Sequence, residues 1–301
     1  MDIGKIAFLV LVIAVSGTVG QAVVSHLSTA ADYEQYFNPL EYLNQYYNFS
    51  QYQDVYKWTL VELKRLTDNV KKGEGRLLEV GIGGVISHLV SAGQKFHHIV
   101  VCDHSEKALD VVRDFVSGNG TFDWSSTFRF VANLHGETDP SRMEQQLRRS
   151  IKETRNCDFT QDNLFAMSQL APVDLLISSL ALESARISAA QYTNALKRIT
   201  DDRYLKRGGA VILIVALRET YWNVGNQTFP AAHITKSQVE EALRQAEFDD
   251  IETAEFGTKS SRPISRTSAC GGNQTGPVGV ACENSDSDAS SFLIAKAIKR
   301  V

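Results

Sequence analysis

The chain has 301 residues, a net charge of −4 and a hydrophobic fraction of 43%. This composition supports an α/β domain with a sizeable core and excludes a disordered chain. The acidic balance, without a basic stripe in the sequence, argues against nucleic acid as a partner. No cluster of cysteine and histidine has metal-ligand spacing, so no metal site is predicted.

The amino terminus has the layout of a secretory signal. Lys5 precedes the apolar run Ile6–Val15, and small residues follow as far as Ala22. Without cleavage, the run Ile6–Val24 is just long enough to span a bilayer. Residues 1–30 are therefore interpreted as a signal peptide or signal anchor, and an uncleaved leader would be the chain's one contact with a membrane. The predicted location is secreted or lumenal, with the cytoplasm as the alternative.

Sequons and cysteines suit the same compartment. The N-x-S/T sequons, which predict a glycoprotein, are at Asn48, Asn119, Asn226 and Asn273. Cys270 and Cys282 flank a glycine-rich loop that a disulfide between them would close. Cys102 and Cys157 lie in apolar or ligand-loop contexts and are interpreted as buried thiols.

A tyrosine-rich stretch, residues 31–57, precedes the first predicted strand. Asn38-Pro39 is a helix-start signal with proline at the first helical position. Tyr42, Tyr46 and Tyr47 then fall on one helical face. Two interpretations stay open because buried tyrosine hydroxyls need partners: an aromatic core stripe, or a tyrosine-lined lid over a polar cationic ligand.

The stretch Arg76–Gly84, RLLEVGIGG, predicts a buried strand that ends in a glycine turn. Gly81 and Gly83 let the backbone turn sharply and approach a ligand closely, and the apolar segment Val85–Ala92 predicts a helix after them. Ile86 stands where a phosphate-binding fingerprint needs its third glycine. The loop therefore suits a nucleoside or an amino-acid moiety better than a pyrophosphate.

Further apolar runs complete the predicted sheet. Ile99–Cys102 predicts a strand that ends at Asp103, an acid 22 residues after Gly81 and so placed to bind a ribose diol. The alternative is that Asp103 only caps the next helix. The other predicted strands are Phe128–Asn133, Val173–Leu182, Ala210–Leu217, and the antiparallel pair Ile251–Phe256 and Phe292–Ile298, which a loop insertion at residues 258–288 joins.

Acidic and aromatic side chains follow these runs. Asp158 and Phe159 come after a predicted charged helix, Asp139–Arg155, and offer a polar contact and an apolar face to an adenine. Glu183 follows one core strand and Glu219 follows the next. Because ligands bind at the carboxyl ends of strands in such sheets, these residues are expected at one crevice.

Three stretches of the chain resemble one family of enzymes. They are YFNPLEYLNQYY at residues 36–47, LLEVGIGG with VVCDHSEKAL, and NCDFTQ followed by ISSLALES and RGGAVILIVALRETYWNVG. Nearly everything after residue 32 resembles the nicotinamide, phenylethanolamine and indolethylamine (thioether) N-methyltransferases, which are class I S-adenosylmethionine-dependent enzymes. The resemblance implies a Rossmann-like α/β fold with a seven-stranded, mostly parallel sheet, helices on both faces and an antiparallel last strand. It also implies one monomeric methyltransferase domain, residues 31–301.

The resemblance further implies a site for S-adenosylmethionine. In that site Tyr42 and Tyr47 close over the cofactor, Gly81, Ile82, Gly83 and Ser87 lie at its amino-acid end, Asp103 holds the ribose, Asp158 and Phe159 hold the adenine, and Ser179 lines the pocket. The chain departs from the family pattern, because Ile82, Ser87 and Ala108 stand where the family has serine, tyrosine and asparagine. These departures predict a lower cofactor affinity.

The acceptor side implies an amine substrate. In the phenylethanolamine branch carboxylates bind the protonated amine, and Glu183 and Glu219 match them as catalytic residues; Asp286 matches a third acid, and Tyr42 and Trp222 complete the predicted substrate site. The family's nicotinamide-binding aspartate and serines are replaced by Val215, Glu219 and Ala231. The predicted substrate is therefore a small aromatic or arylalkyl amine, with nicotinamide-type pyridines disfavoured. The alternatives are an NAD-dependent oxidoreductase and a secreted, non-catalytic binding protein.

Overall fold

Seven strands form one sheet in the computed structural model, which describes residues 30–49, 53–68, 75–165, 170–185, 188–257 and 286–301. The described residues form nine strands, of which β6 and β7 lie outside this sheet: β1 (Arg76–Val80), β2 (His98–Asp103), β3 (Ile151–Asn156), β4 (Val173–Ser179), β5 (Leu205–Leu217), β6 (Tyr221–Val224), β7 (Gln227–Pro230), β8 (Phe248–Gly257) and β9 (Ser291–Lys299). The helices are α1 (Ala30–Tyr36), α2 (Pro39–Tyr46), α3 (Gln53–Asp68), α4 (Glu106–Ser117), α5 (Ser125–His135), α6 (Pro140–Ser150), α7 (Ala189–Ile199) and α8 (Lys236–Gln245).

The sheet has the order β3-β2-β1-β4-β5-β9-β8, and β6 and β7 pair separately as a hairpin. The first five strands of this order, from β3 through β1 to β5, are parallel to one another. Strand β9 is antiparallel to both of its neighbours, β5 and β8. The predicted mostly parallel sheet with an antiparallel last strand is therefore confirmed. Because β1 lies in the middle, its carboxyl end and those of β2 and β4 meet at one edge of the sheet.

Helices cover both faces of the sheet, as predicted. Side chains of a strand alternate between the faces. Leu77 therefore packs in one core cluster, with Leu60 of α3 and Phe128 of α5. Its neighbour Leu78 packs in the other cluster, with Leu196 of α7. Burial on both faces explains why β1, β4 and β5 have almost continuous apolar sequences.

The third predicted strand is wrong. Phe128–Asn133 lies inside helix α5, where Phe128, Val131 and Ala132 are buried at helical spacing. The strand at this edge is β3. Most of its residues had been predicted as the end of a charged helix over Asp139–Arg155, but that helix ends at Ser150. Since β3 pairs only with β2, it keeps polar and charged residues that a central strand would exclude.

The segment after the glycine turn also differs from its prediction. Instead of one α-helix over Val85–Ala92, the chain forms two short 3₁₀ helices, Ile86–Leu89 and Ala92–Gln94. All four side chains of Ile86–Leu89 are buried, including that of His88. A segment without a solvent-facing side has no amphipathic pattern, so the sequence could not distinguish the two kinds of helix.

The cysteines are also corrected. Cys102 and Cys157, interpreted as free thiols, form a disulfide bond between the end of β2 and the loop after β3. Cys270 and Cys282 lie outside the described residues, as do most of the leader at residues 1–30 and most of the insertion at residues 258–288. Among the helices of the described ranges, none is both long and apolar enough to cross a membrane.

We expect the Cys102→Ala/Cys157→Ala variant to lose about 2–4 kcal/mol of unfolding free energy, because a disulfide restricts the unfolded chain. The bond joins residues 55 positions apart, which makes that restriction substantial. Chemical denaturation of both proteins, with and without a thiol reductant, measures the loss. Reductant should destabilise the wild-type protein only; equal stability of wild type and variant would contradict the prediction.

Candidate functional site

The glycine turn after β1 is held against both neighbouring strands. The N–H groups of Gly81 and Ile82 donate to the carbonyl of Cys102, at 2.9 and 3.2 Å. On the other side, a Cβ on Gly81 would lie 2.2 Å from the Cβ of Ala181, which no side chain could tolerate. Gly81 and Gly83 also have φ angles of 78° and 55°. Glycine is therefore required here for both space and conformation.

Asp103 is attached directly to this turn. Its Oδ2 accepts a hydrogen bond from Gly83 N and its Oδ1 accepts one from Ser105 N, each at 2.8 Å. Burial raises the pKa of Asp103, although the two N–H donors oppose this effect. Ser105, not Asp103, is the N-cap of α4, because its hydroxyl accepts from Ala108 N. The acid predicted to bind a ribose thus lies at the turn and does not cap the helix.

The pair predicted to bind adenine lies beside Asp103. Cys157 N donates to the Asp103 carbonyl at 2.9 Å, which brings the loop after β3 to the same edge. Asp158 Oδ1 accepts from the backbone N and the hydroxyl of Thr160, at 2.8 and 2.5 Å. Burial raises the pKa of Asp158, but these hydrogen bonds outweigh it and the net shift is downward. Phe159 is half-buried against the neighbouring core.

Aromatic rings cover the turn. A Cβ on Gly83 would lie 3.6 Å from Cε1 of Tyr42, so this ring packs on the glycine backbone. The hydroxyls of Tyr42 and Tyr47 are 3.4 Å apart. Tyr42 also lies edge-on to Trp222, which stacks on Phe229 with ring centroids 4.7 Å apart. The rings of the tyrosine-rich stretch therefore form core and also roof the turn, and their role as a lid over a ligand stays a prediction.

Helix α2, the lid helix, is fastened at its far end. The Tyr46 hydroxyl donates to the carbonyls of Asn223 and Asp286, at 2.8 Å each. Gln45 Nε2 donates to Asp286 Oδ1 at 2.7 Å, and Gln45 Oε1 accepts from Gly225 N at 3.1 Å. The lid helix, the β6–β7 hairpin and the segment beginning at Asp286 thus form one hydrogen-bonded unit, which we call the clasp.

Two buried glutamates lie next to this unit. Glu183 follows β4 and is 1% exposed; its Oε1 accepts from Ala216 N of β5 at 2.8 Å. Burial raises its pKa to about 8. Glu219 follows β5 and is 5% exposed, and burial raises its pKa to about 7. The charges of the two carboxylates oppose each other, since Glu219 also raises the pKa of Glu183.

Asp286 binds the lid helix through Gln45. The residue that contacts Glu219 is Ser287, whose hydroxyl donates to its carboxylate, and the charge of Asp288 raises the pKa of Glu219 further after burial. The sequence therefore located the segment but gave no reason to single out Ser287, which is one of several serines in a polar stretch. The role of Asp286 toward a substrate stays a prediction.

Two further buried residues, Glu79 and His88, were not predicted as part of the site. His88 is buried under the turn, with Nε2 at 3.1 Å from Ser179 Oγ and Nδ1 at 3.5 Å from Glu79 Oε1. Ile82, Ser87 and Ser179 are also buried; the resemblance places Ile82 and Ser87 at the cofactor's amino-acid end and Ser179 in its pocket. A single histidine after an apolar strand is no signal by itself. The pattern to notice would have been an acid, Glu79, two residues before the first glycine, together with a histidine shortly after the glycines.

Comparison with known proteins agrees with this geometry. The family model described as the NNMT/PNMT/TEMT family matches residues 25–264. The nicotinamide N-methyltransferase of Sus scrofa is 31% identical, over 71% of this chain and 83% of that protein. The indolethylamine N-methyltransferase of Mus musculus is 30% identical over the same shares, and the phenylethanolamine N-methyltransferase of Sus scrofa is 29% identical over 71% and 78%.

A solved structure shows the same fold. The magnesium protoporphyrin IX methyltransferase of Synechocystis matches 90% of this chain and all of its own chain, with a TM-score of 0.50 and 12% identity. At that identity the likeness concerns the fold alone.

The relatives contradict the predicted location. The prediction of a secreted or lumenal protein is wrong, because the nicotinamide, indolethylamine and phenylethanolamine N-methyltransferases are cytoplasmic enzymes. The interpretation of the sequons as glycosylation sites loses its support with it.

The family match covers most of the chain, and both the sheet order and the position of Asp103 beside the glycine turn agree with it. The chain belongs to the NNMT/PNMT/TEMT family and is an S-adenosylmethionine-dependent N-methyltransferase.

Proposed function

We propose that the protein methylates the amine nitrogen of a small arylalkylamine. The observation that carries the proposal is the pair of buried carboxyls, Glu183 and Glu219, whose charges act on each other. The charge of Glu219 also acts on Tyr42, which packs on the aromatic cluster of Trp222 and Phe229. A carboxylate in such surroundings binds a cationic amine strongly, and the rings suit the aryl part of the same molecule.

The residues of the turn fit the cofactor. Gly81 and Gly83 leave the backbone bare where a side chain would block approach, and Asp103 is buried at the end of β2. We expect Asp103 to hold the ribose, Asp158 and Phe159 the adenine, and Tyr42 and Tyr47 to close over the molecule. When bound, the cofactor supplies a methyl group already activated on a sulfonium. The protein's own task is to align the acceptor and exclude water.

The acceptor must lose a proton before its nitrogen can attack. A general base works best when its pKa lies near the working pH. The pKa of Glu219, about 7, and that of Glu183, about 8, meet this condition because both carboxyls are buried. We propose that the two groups bind the ammonium form and that one of them takes its proton.

A nicotinamide-type acceptor fits less well. Its amide needs hydrogen-bond partners when buried. Val215, at one of the corresponding positions, is a core residue of β5, and Ala231, at another, packs on the aromatic cluster. Neither side chain can donate or accept. A screen of phenylethylamine, tryptamine and nicotinamide, which measures the S-adenosylhomocysteine formed, should favour the two amines at least about tenfold. A preference for nicotinamide would overturn the proposed substrate class.

The substitution Glu219→Gln should lower kcat/KM for the preferred amine by about 10²-fold or more, because the amide cannot take a proton. Gln keeps an oxygen that can accept from Ser287, so the fold should persist. The affinity for S-adenosylhomocysteine, measured by calorimetry, should not change. Glu241→Gln, on the exposed side of α8, is the matched control. Unchanged turnover would remove Glu219 from the reaction.

The pH profile should follow the two carboxyls. Each binds a cation only when ionised, so kcat/KM for the amine should rise from pH 6 through the pKa of Glu219, about 7, and that of Glu183, about 8. Glu219→Gln should remove the lower step and Glu183→Gln the upper one. A profile that both variants leave unaltered would assign the steps to other groups.

Burial of Glu183 should also cost stability at alkaline pH. The unfolded carboxyl ionises near 4.5 and the folded one at about 8, so the cost is zero below pH 4.5 and grows up to about pH 8. Glu183→Gln keeps an acceptor for Ala216 N and removes the charge. We expect this variant to be more stable than wild type by roughly 1–4 kcal/mol at pH 8 and equal to it at pH 4.5. Thermal unfolding at both pH values tests this, and equal curves at pH 8 would contradict it.

A further inference from the structure

Three buried polar side chains form a line beneath the glycine turn. Glu79 lies on β1, His88 in the 3₁₀ helix Ile86–Leu89 and Ser179 at the end of β4, and they are 0%, 4% and 6% exposed. The Ser179 hydroxyl is a hydrogen-bond length from the imidazole, at 3.1 Å from Nε2. The other imidazole nitrogen, Nδ1, is 3.5 Å from Glu79 Oε1.

The carboxyl group of Glu79 and the Nδ1 atom of His88 are placed to pair with each other. Among the described residues neither oxygen of Glu79 has a hydrogen-bond partner, and neither does Nδ1 of His88. Tyr47 packs edge-on against the imidazole, with ring centroids 6.0 Å apart. A shift of about 0.5 Å would bring the 3.5 Å contact to normal hydrogen-bond length. Because unpaired buried polar atoms are costly, the pair is expected to close this bond.

This pairing fixes the direction of the second hydrogen bond. Burial raises the pKa of Glu79, and the hydrogen bond from His88 opposes this effect. As a carboxylate Glu79 only accepts, so the Nδ1 proton of His88 then faces Glu79 and Nε2 is left as an acceptor. The Ser179 hydroxyl must then donate to Nε2. Its oxygen keeps free lone pairs, which can accept a hydrogen bond from another donor.

The sheet order shows which part of the cofactor this oxygen can reach. Asp103 ends β2 and Asp158 follows β3, so the nucleoside that they are proposed to bind would lie on that side of β1. Ser179 ends β4, on the other side of β1, four residues before Glu183. The sulfur would then lie toward this side, where its methyl group could reach an acceptor near Glu183, and the amino-acid arm on the same sulfur would start near the end of β4. That arm carries an ammonium, which is a donor.

We infer that Glu79 and His88 are positioning residues that turn the Ser179 hydroxyl so that its oxygen accepts from the ammonium of S-adenosylmethionine. The inference rests on the family's cofactor and, for the side of β1 on which its sulfur would lie, on the acceptor site proposed near Glu183. It gives this chain a polar contact at the arm where Ile82 and Ser87 replace the family's serine and tyrosine.

The test compares two ligands that differ in the arm alone. S-adenosylhomocysteine carries the ammonium, whereas 5′-methylthioadenosine keeps the nucleoside and sulfur without the amino acid. The substitution His88→Phe keeps a ring and removes both nitrogens. We expect it to weaken binding of S-adenosylhomocysteine about tenfold, as for a lost hydrogen bond to a charged group, and to change binding of methylthioadenosine less than about twofold. Calorimetry measures both affinities.

Matched variants separate positioning from packing. Ser179→Ala should show the same selective loss, and the double variant His88→Phe/Ser179→Ala should lose no more than Ser179→Ala alone. Ser178→Ala is the control, because this buried neighbour donates to the Val80 carbonyl and not to His88. Should His88→Phe fail to fold, Glu79→Gln provides a milder variant, which should show a smaller loss of the same selectivity.

Equal losses for both ligands would show that His88 only supports the fold, and no loss for either would remove it from the cofactor site. Additive losses in the double variant would break the link to Ser179. No acceptor amine is used, so these outcomes leave the proposed substrate class unaffected.

Discussion

The close approach of the Gly81 backbone to Ala181 is the constraint on which the site depends. The same turn donates two N–H groups to the Cys102 carbonyl of β2 and one to the Asp103 carboxylate, so the carboxyl ends of β1, β2 and β4 are held together at the turn. Any side chain at Gly81 would push β4 away from β1. The nucleoside side and the acceptor side of the crevice would then no longer share one edge.

The carboxyl groups of Asp158, Glu183 and Glu219 along that edge differ in their pKa values. On the nucleoside side, Asp158 is stabilised as a carboxylate by Thr160, which keeps its pKa low. On the acceptor side, burial raises the pKa of Glu183 and Glu219 until they exchange protons near neutrality. At the proposed site Asp158 would therefore serve as a fixed hydrogen-bond acceptor, whereas Glu183 and Glu219 would exchange protons. The difference comes from their surroundings, since the ordinary pKa values of the two residue types, 3.8 and 4.5, are close.

The sequence predicted the central strands well because β1, β4 and β5 are buried on both faces and have long apolar runs. It failed at the edge, where β3 is polar and the buried residues of α5 mimic a strand. Within the site, acids that directly follow strands, such as Asp103 and Glu219, could be located by position. His88 and Ser287 could not, because what matters for each is a partner brought close by folding.

The clasp has a consequence for how molecules enter and leave. The lid helix lies over the glycine turn with Tyr42, and through Gln45 and Tyr46 it is tied to the hairpin that carries Trp222. It cannot rise from the turn without parting from the acceptor side as well. At the proposed site, a single movement of the lid helix would therefore open both halves of the crevice, which favours an ordered cycle over independent exchange of the two reactants.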